Sequence, residues 1–174
     1  MPRTEAPPAV LGPAATWADF RSAFGLVRAL ADLDARLCAP LGFPPEMILS
    51  TYYPPSPAAL RVIYAPPQGR LLLMRIGGRA TGCAGYTGDG SLARLRHVFL
   101  RPAHRGGGRG RRLVEAALAA ARADGYREIR LVTIAPMAAA IGLYRSLGFR
   151  DCAPSGDHAG TGTAAIDIHM SRPL

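Results

Sequence analysis

Apolar residues along the chain follow two rhythms. Between Trp17 and Cys38, Phe20, Phe24, Val27, Leu30, Leu33 and Leu37 recur at three- and four-residue steps, which predicts an amphipathic helix with Gly25 as its weak point. Pro40, Pro44 and Pro45 end it. Residues 46–70 hold Pro54, Pro55, Pro57, Pro66 and Pro67 and read as a connector with at most one short helix or strand, where substrate-facing loops are expected. The rhythm then changes. Leu71 to Ile76 is a compact apolar run, Gly77-Gly78 signals a hairpin, and Ala80 to Thr87 returns as a second strand. After Gly88-Asp89-Gly90, Leu92 to Arg101 completes three consecutive antiparallel strands.

Beyond Pro102 a glycine-rich loop leads to Leu113, Val114, Ala117, Leu118 and Ala121, which share one helical face up to Gly125. Ile129 to Ile134 predicts a strand, Pro136 to Leu147 a helix stopped by Gly148, and Phe149 to Ala153 a short strand. A loop containing Gly and Ser separates these from a last strand, Ala164 to Met170. Residues 1–16, rich in Pro and Ala, read as a flexible leader with no evident strand, and 17–174 as a single domain. There is no internal repeat.

A chain of 174 residues with 49% hydrophobic composition suits one globular domain. No apolar run approaches the roughly 18 to 20 residues of a membrane span, and the N-terminal stretch lacks the apolar core of a secretory signal, so a soluble, cytoplasmic protein is expected. Cys38, Cys83 and Cys152 are widely spaced and odd in number, which fits neither a disulfide framework nor a four-thiolate zinc site and favours a reducing compartment. His97, His104, His158 and His169 have no metal-ligand spacing and read as surface or strand residues; no metal is expected.

Charge adds more. All 21 basic residues are arginine, there is no lysine, and the formal net charge is +9. Arg94, Arg96, Arg101, Arg105, Arg109, Arg111 and Arg112 crowd one stretch. They point either to an anionic ligand there or to a charge that only keeps the protein soluble.

Within that stretch, glycines at 106, 107, 108 and 110 let the backbone turn its N–H groups into one concavity, and the helix that starts there adds unpaired donors and the positive end of its dipole. Such a nest suits phosphate. A P-loop is excluded because it needs a lysine. A dinucleotide fingerprint fails as well: counted from Gly106 the sixth residue is Arg111, counted from Gly108 it is Leu113, and the preceding strands look like hairpins rather than a βαβ unit. No Gly-x-Ser-x-Gly elbow occurs, and no cysteine sits in a nucleophile's context.

What remains is Arg-x-x-Gly-x-Gly, met by Arg105, Gly108 and Gly110 after a strand ending Val98-Phe99-Leu100. This segment resembles the acetyl-CoA-binding motif of the GNAT family of N-acetyltransferases. A second element, Leu143-Tyr144 followed three residues later by Gly148-Phe149, resembles that family's last helix. The resemblance runs from about Gly69 to Ala153 and more faintly back through the helix at 17–38. It implies an α/β fold with a mixed, mostly antiparallel central sheet flanked by helices, and direct transfer of an acetyl group from acetyl-CoA to a primary amine. The amine of a small molecule is the first expectation; protein N-termini, lysine side chains and aminoacyl-tRNA stay open, as does a homodimer.

The same resemblance implies that backbone groups of Val98 and Leu100 face the pantetheine arm, that Arg105, Gly106, Gly107, Gly108, Arg109, Gly110 and Arg111 hold the pyrophosphate, and that a backbone N–H near Leu100 stabilises the oxyanion. Arg111, Arg112 and Arg145 are candidates for the 3′-phosphate or are solvated helix-face charges. Tyr144 stands where the family's general acid protonates the departing thiolate, although its spacing with Met137, Ala140 and Leu147 also suits a core tyrosine. Two positions depart from the family pattern: Arg94 occupies the usual place of a catalytic glutamate, and Met137 that of an asparagine. Arginine cannot accept a proton at working pH. A water relay, Asp89 or His97 in its place, an acceptor that arrives neutral, or a silent CoA-binding regulatory module are the readings left open. A nucleic-acid-binding role for the RGGGRGRR segment is disfavoured, because it lies between a strand and a helix with no aromatic residue interleaved.

Overall fold

A computed structural model of the chain describes residues 7–154 and 163–174. The first part of the expected leader, residues 1–6, and most of the loop expected before the last strand, residues 155–162 with His158, lie outside the described residues. The leader reading is corrected at its far end. Ala9–Pro13 (β1) forms a strand, antiparallel to Gly69–Ile76 (β2) with Ala9 opposite Ile76 and Pro13 opposite Leu72.

From β2 the chain returns through Arg79–Asp89 (β3) and Leu92–Leu100 (β4), both antiparallel, as the hairpin signals predict. Glu128–Ile134 (β5) then runs parallel to β4, and Arg150–Asp151 (β6) and Asp167–Pro173 (β7) complete a mixed seven-stranded sheet in the order β1-β2-β3-β4-β5-β7-β6. The last strand is displaced from the expected Ala164 to Met170, because Ile166 and Asp167 turn back to hydrogen-bond the carbonyl of Thr163, while 171–173 extend the pairing with β5.

Helices cover both faces. Trp17–Cys38 (α1) starts in a capping box, Thr16 and Asp19 each accepting from the other's backbone N–H, and Arg75 of β2 donates to the same Asp19 carboxylate. These hydrogen bonds, led by the N–H of Thr16, hold the Asp19 carboxyl well below the usual range. Pro45–Tyr52 (α2) and Pro57–Ile63 (α3) replace the connector expected over 46–70. Each begins with proline at its first position, where a missing N–H is harmless and the fixed φ suits a helix. On the other face lies Arg109–Ala123 (α4), with Leu113, Val114, Ala117, Leu118 and Ala121 buried as its spacing predicts, followed by Ala138–Ser146 (α5).

Strand alternation divides the core in two. Leu72, Met74, Ala84 and Tyr86 point toward α4, whereas Leu71, Leu73 and Cys83 point toward α1. In β4 the alternation is broken once: Gly85 lies opposite Arg96 but Cys83 lies opposite Phe99, so β4 carries an extra residue. His97 absorbs it at φ +51, the left-handed region that a histidine rarely enters. Ala93 and Leu95 consequently join the α4 core before the bulge, and Leu100 joins it after, while Phe99 enters the α1 core.

The bulge rests on a close approach. A Cβ at Gly85 would sit 2.3 Å from the ring of Tyr64, a buried tyrosine whose hydroxyl bonds the His97 ring, so only glycine fits there. Gly25, inside α1, has nothing within 4 Å of its would-be Cβ. The same substitution at the two sites is therefore expected to have opposite signs. Gly25→Ala should raise stability by about 0.5–1 kcal/mol through helix propensity. Gly85→Ala should lower it by about 2 kcal/mol through overpacking, a fall of roughly 4–8 °C in Tm by calorimetry.

Candidate active site

β4 and β5 pair only at Leu92–Glu128, Ala93–Ile129 and Arg94–Arg130. Past Arg94 the two strands separate, β4 staying with β3 and β5 with β7. Their facing edges present unpaired N–H and C=O groups, to which an extended chain bearing amides can bond as a strand would. Arg101 donates to the Thr81 carbonyl at 2.9 Å, so in the antiparallel alternation the N–H of Leu100 is aimed into the split. The Leu100 carbonyl accepts from Arg105 Nε at 3.1 Å, which fastens the glycine loop to the strand's end.

That loop carries Gly106, Gly107 and Gly108 at φ +88, +57 and +73, consecutive left-handed residues that only glycine takes without strain. A Cβ at any of the three would meet nothing within 4 Å, so the concavity is open. Gly108 is also the N-cap of α4, and its carbonyl receives the first helical bond from Arg112 at 3.0 Å. Among the described residues the N–H groups of Gly107, Gly108, Gly110 and Arg111 make no backbone hydrogen bond, so the helix start offers several donors to an anion. The arginine-rich segment is thus an ordered loop and helix start.

The arginines proposed for the 3′-phosphate are not brought together. Arg111 bonds the Ser146 hydroxyl at 2.7 Å and pairs with Glu115; Arg112 reaches the Ala9 carbonyl of β1; Arg145 pairs with Asp151. They tie α4 and α5 to their neighbours. Arg109 sits half-buried at the head of α4 and, among the described residues, makes no ion pair.

A cavity of about 360 Å³ lies at the split, walled by α1, α2, the two separating strands and α5. Val98 and Tyr144 line it. Tyr144 is buried, its ring edge-on to Phe149 at 5.7 Å, and among the described residues its hydroxyl makes no hydrogen bond. Burial first, and then the nearby Asp34 charge, push this phenol upward, so it stays protonated through the working pH range. Core packing and a place on the cavity wall coincide here. Residues 51–54, where α2 ends, also line the cavity.

Of the substitutes for a base, Asp89 is exposed at the β3–β4 hairpin and does not line the cavity. His97 does line it, as a half-buried strand residue. Its Nδ1 bonds the Tyr64 hydroxyl at 2.6 Å, and the backbone of Tyr52 bonds the ring as well. Desolvation, aided by Arg96, lowers it to about 4, so the ring is neutral and engaged in holding the backbone. It holds the bulge. The Cys83 thiol, pushed up to about 12 by burial, adds a bond to the His97 carbonyl at 3.2 Å.

The residue that sequence reasoning missed is Asp34. It lines the cavity from α1, accepts a hydrogen bond from the Tyr53 hydroxyl through Oδ2, and leaves Oδ1 buried without a partner among the described residues. Burial lifts its carboxyl to about 6, against the opposing Tyr53 bond. A signal existed: Asp34 lies four residues from both Leu30 and Cys38, inside the helix's apolar stripe. Met137 lines the same cavity. Among the described residues no group of His, Cys, Asp and Glu could hold a metal, and no helix is long and apolar enough to cross a membrane.

A family model described as the acetyltransferase (GNAT) family matches residues 42–149. The chain is similar in fold to a putative acyl-CoA N-acyltransferase from Klebsiella pneumoniae, with 22% identity, TM-score 0.71, and 95% of this chain and 97% of that chain covered. A GNAT-family acetyltransferase from Staphylococcus aureus gives 15% identity and TM-score 0.73, covering 96% of this chain and 99% of that one. PaiA N-acetyltransferase from Thermoplasma acidophilum, solved in complex with coenzyme A, gives 15% identity and TM-score 0.71, covering 96% and 99%. Comparison with curated proteins finds no significant match.

Because the folded pKa of Asp34 lies above its unfolded value of 3.8, ionisation above about 6 weighs against the folded state. Asp34→Asn should stabilise the protein at pH 8 by on the order of 2 kcal/mol. The gain should shrink as pH falls through 6 and vanish below 4, where Asp34 is neutral folded and unfolded alike. Thermal melts of both proteins from pH 4 to 8 check the sign.

Proposed function

The chain belongs to the GNAT acetyltransferase family, and from that premise we propose that it moves an acetyl group from acetyl-CoA to the primary amine of a small molecule by direct attack. The observation that carries this reading is the continuity of two features on one segment. β4 leaves β5 after Arg94, and the same strand runs on through Arg105 into the open nest at the head of α4. A split sheet edge suits an extended arm bearing amides, and a nest at its end suits the pyrophosphate that terminates such an arm. The ligand would supply an activated acyl group as a thioester.

The residues then divide the work. Backbone groups of Val98 and Leu100 hold the arm, and the N–H of Leu100, aimed into the split, stabilises the oxyanion. The N–H groups of Gly106, Gly107, Gly108, Gly110 and Arg111 take the pyrophosphate, with Arg109 beside them. Arg105 acts indirectly, by fixing the loop to the Leu100 carbonyl. Tyr144, kept protonated by burial and open to the cavity, donates its proton to the departing thiolate.

Release of free thiol from acetyl-CoA across a panel of amines tests the reaction. Gly108→Asp puts a side chain on a left-handed residue and a negative charge in the nest. It should weaken CoA binding at least about tenfold by calorimetry, with the far-UV circular dichroism unchanged. Equal affinity in the folded variant would remove the nest from the site. Tyr144→Phe keeps the ring and its contact with Phe149; kcat should fall by roughly 10²- to 10⁴-fold while the Kd for CoA holds. A kcat within threefold of the parent would leave Tyr144 a core residue only.

A further inference from the structure

Two opposite charges share the cavity and do not pair with each other. Asp34 enters from α1 with Oδ1 buried and unpartnered among the described residues. Arg94 enters from the last paired position of β4 and, half-buried, makes neither an ion pair nor a hydrogen bond among the described residues. Arg94 also lies directly across from Arg130, whose charge is met by Glu128, and alternation places Arg96 on the same sheet face, while Asp167 of β7 lines the cavity as well, so Arg94 is the cation of this wall left without a carboxylate among the described residues. A buried carboxylate oxygen left in this state costs stability unless something else meets it. An ion pair between the two is the arrangement a purely structural role would favour; instead they line the cavity from different elements, α1 and β4, without pairing, which suits a molecule carrying both charges.

We propose that the acceptor is a small molecule bearing an anionic group, carboxylate or phosphate, as well as its amine, with Arg94 holding the anion and Asp34 receiving the amine and its proton. The proposal rests on the acetyltransferase reading and supplies the base that β4 lacks. The acceptor's ammonium gives one proton to the Asp34 carboxylate. Its nitrogen, now neutral, attacks the thioester carbonyl carbon; the C–N bond forms, and the C–S bond breaks with its electron pair going to sulfur. Tyr144 protonates that sulfur and is restored by the second proton lost from nitrogen, while Asp34 passes the first to solvent. The products are an amide, free CoA thiol and one proton. Tyr53 donates to Oδ2, so the carboxylate of Asp34 keeps hydrogen-bonding capacity at Oδ1 for the amine. Its raised affinity for protons makes Asp34 a stronger base than an exposed carboxylate.

The test measures thiol release by the full chain, as wild type, D34N, R94Q and R94K, with acceptors taken in pairs: tyrosine and tyramine, lysine and cadaverine, β-alanine and ethylamine, phosphoethanolamine and ethanolamine. Wild type should favour the anionic member of at least one pair by about 10- to 100-fold in kcat/KM, the size expected of a charged hydrogen bond. Which pair shows it tells carboxylate from phosphate. R94Q should bring that ratio to within about threefold of unity, and R94K should keep part of it. D34N should lose roughly 10²-fold or more in kcat with CoA affinity retained and Tm no lower than wild type, a combination that damaged folding does not produce. Equal rates within every pair, a preference that survives R94Q, or a D34N enzyme with normal kcat would each overturn this assignment alone. A wild-type protein that binds CoA and acetylates no amine at all would overturn the transfer reading, and this one with it.

Discussion

The extra residue that His97 inserts into β4 is the constraint on which the site depends. With a period of two, a strand assigns each side chain to a face by parity, and one inserted residue reverses the assignment for everything beyond it. Before the bulge β4 turns Arg94 and Arg96 toward α1 and Leu95 toward α4; after it Val98 and Leu100 face α4 and Phe99 faces α1. One strand therefore lends charged side chains to one end of the cavity and backbone groups to the other. A histidine at φ +51 carries strain of about 1–3 kcal/mol and persists only where its surroundings insist. Here they are the Tyr64 hydroxyl, the Tyr52 backbone and the Cys83 thiol, with Gly85 giving Tyr64 its place.

The second organising element is α4, which serves at both its side and its end. Its apolar stripe fixes it on the sheet through Leu113, Val114, Ala117, Leu118 and Ala121, and this anchoring sets where its first N–H groups point. Arg111 and Arg112 reinforce the docking, one toward α5 and the other toward β1. An anion at the nest thus meets donors already held by hydrophobic burial, which lowers the ordering needed on binding.

Much of this was legible in the chain, and the failures have physical causes. The β2–β3–β4 meander, α1, α4 and the nest announce themselves because local rules and tertiary structure agree there. The two helices between α1 and β2 do not, because proline by residue type reads as a breaker, whereas Pro45 and Pro57 are initiators at the first helical position. β1 is five residues long, includes Gly12 and Pro13, and is a strand only because the edge of β2 accepts it. The bulge is nonlocal: nothing in the neighbourhood of His97 tells that a tyrosine thirty-three residues earlier will hold it. Asp34 was readable as a carboxylate in an apolar stripe, whereas the crowding of arginines in the chain did not tell where each would reach, since the neighbours Arg111 and Arg112 diverge to Ser146 and Ala9.

The cations around the cavity are all guanidinium groups, Arg94, Arg96 and Arg130, in a chain without a lysine. An ammonium side chain in their place would lose its proton now and then in such a desolvated setting and become a nucleophile itself, competing with the acceptor for an acyl group. Guanidinium keeps its charge at every pH the protein meets and does not attack a thioester. The lining can therefore attract anions indefinitely without being modified by the reagent it faces, and the protein offers no side-chain amine anywhere on which its own acyl donor could be wasted.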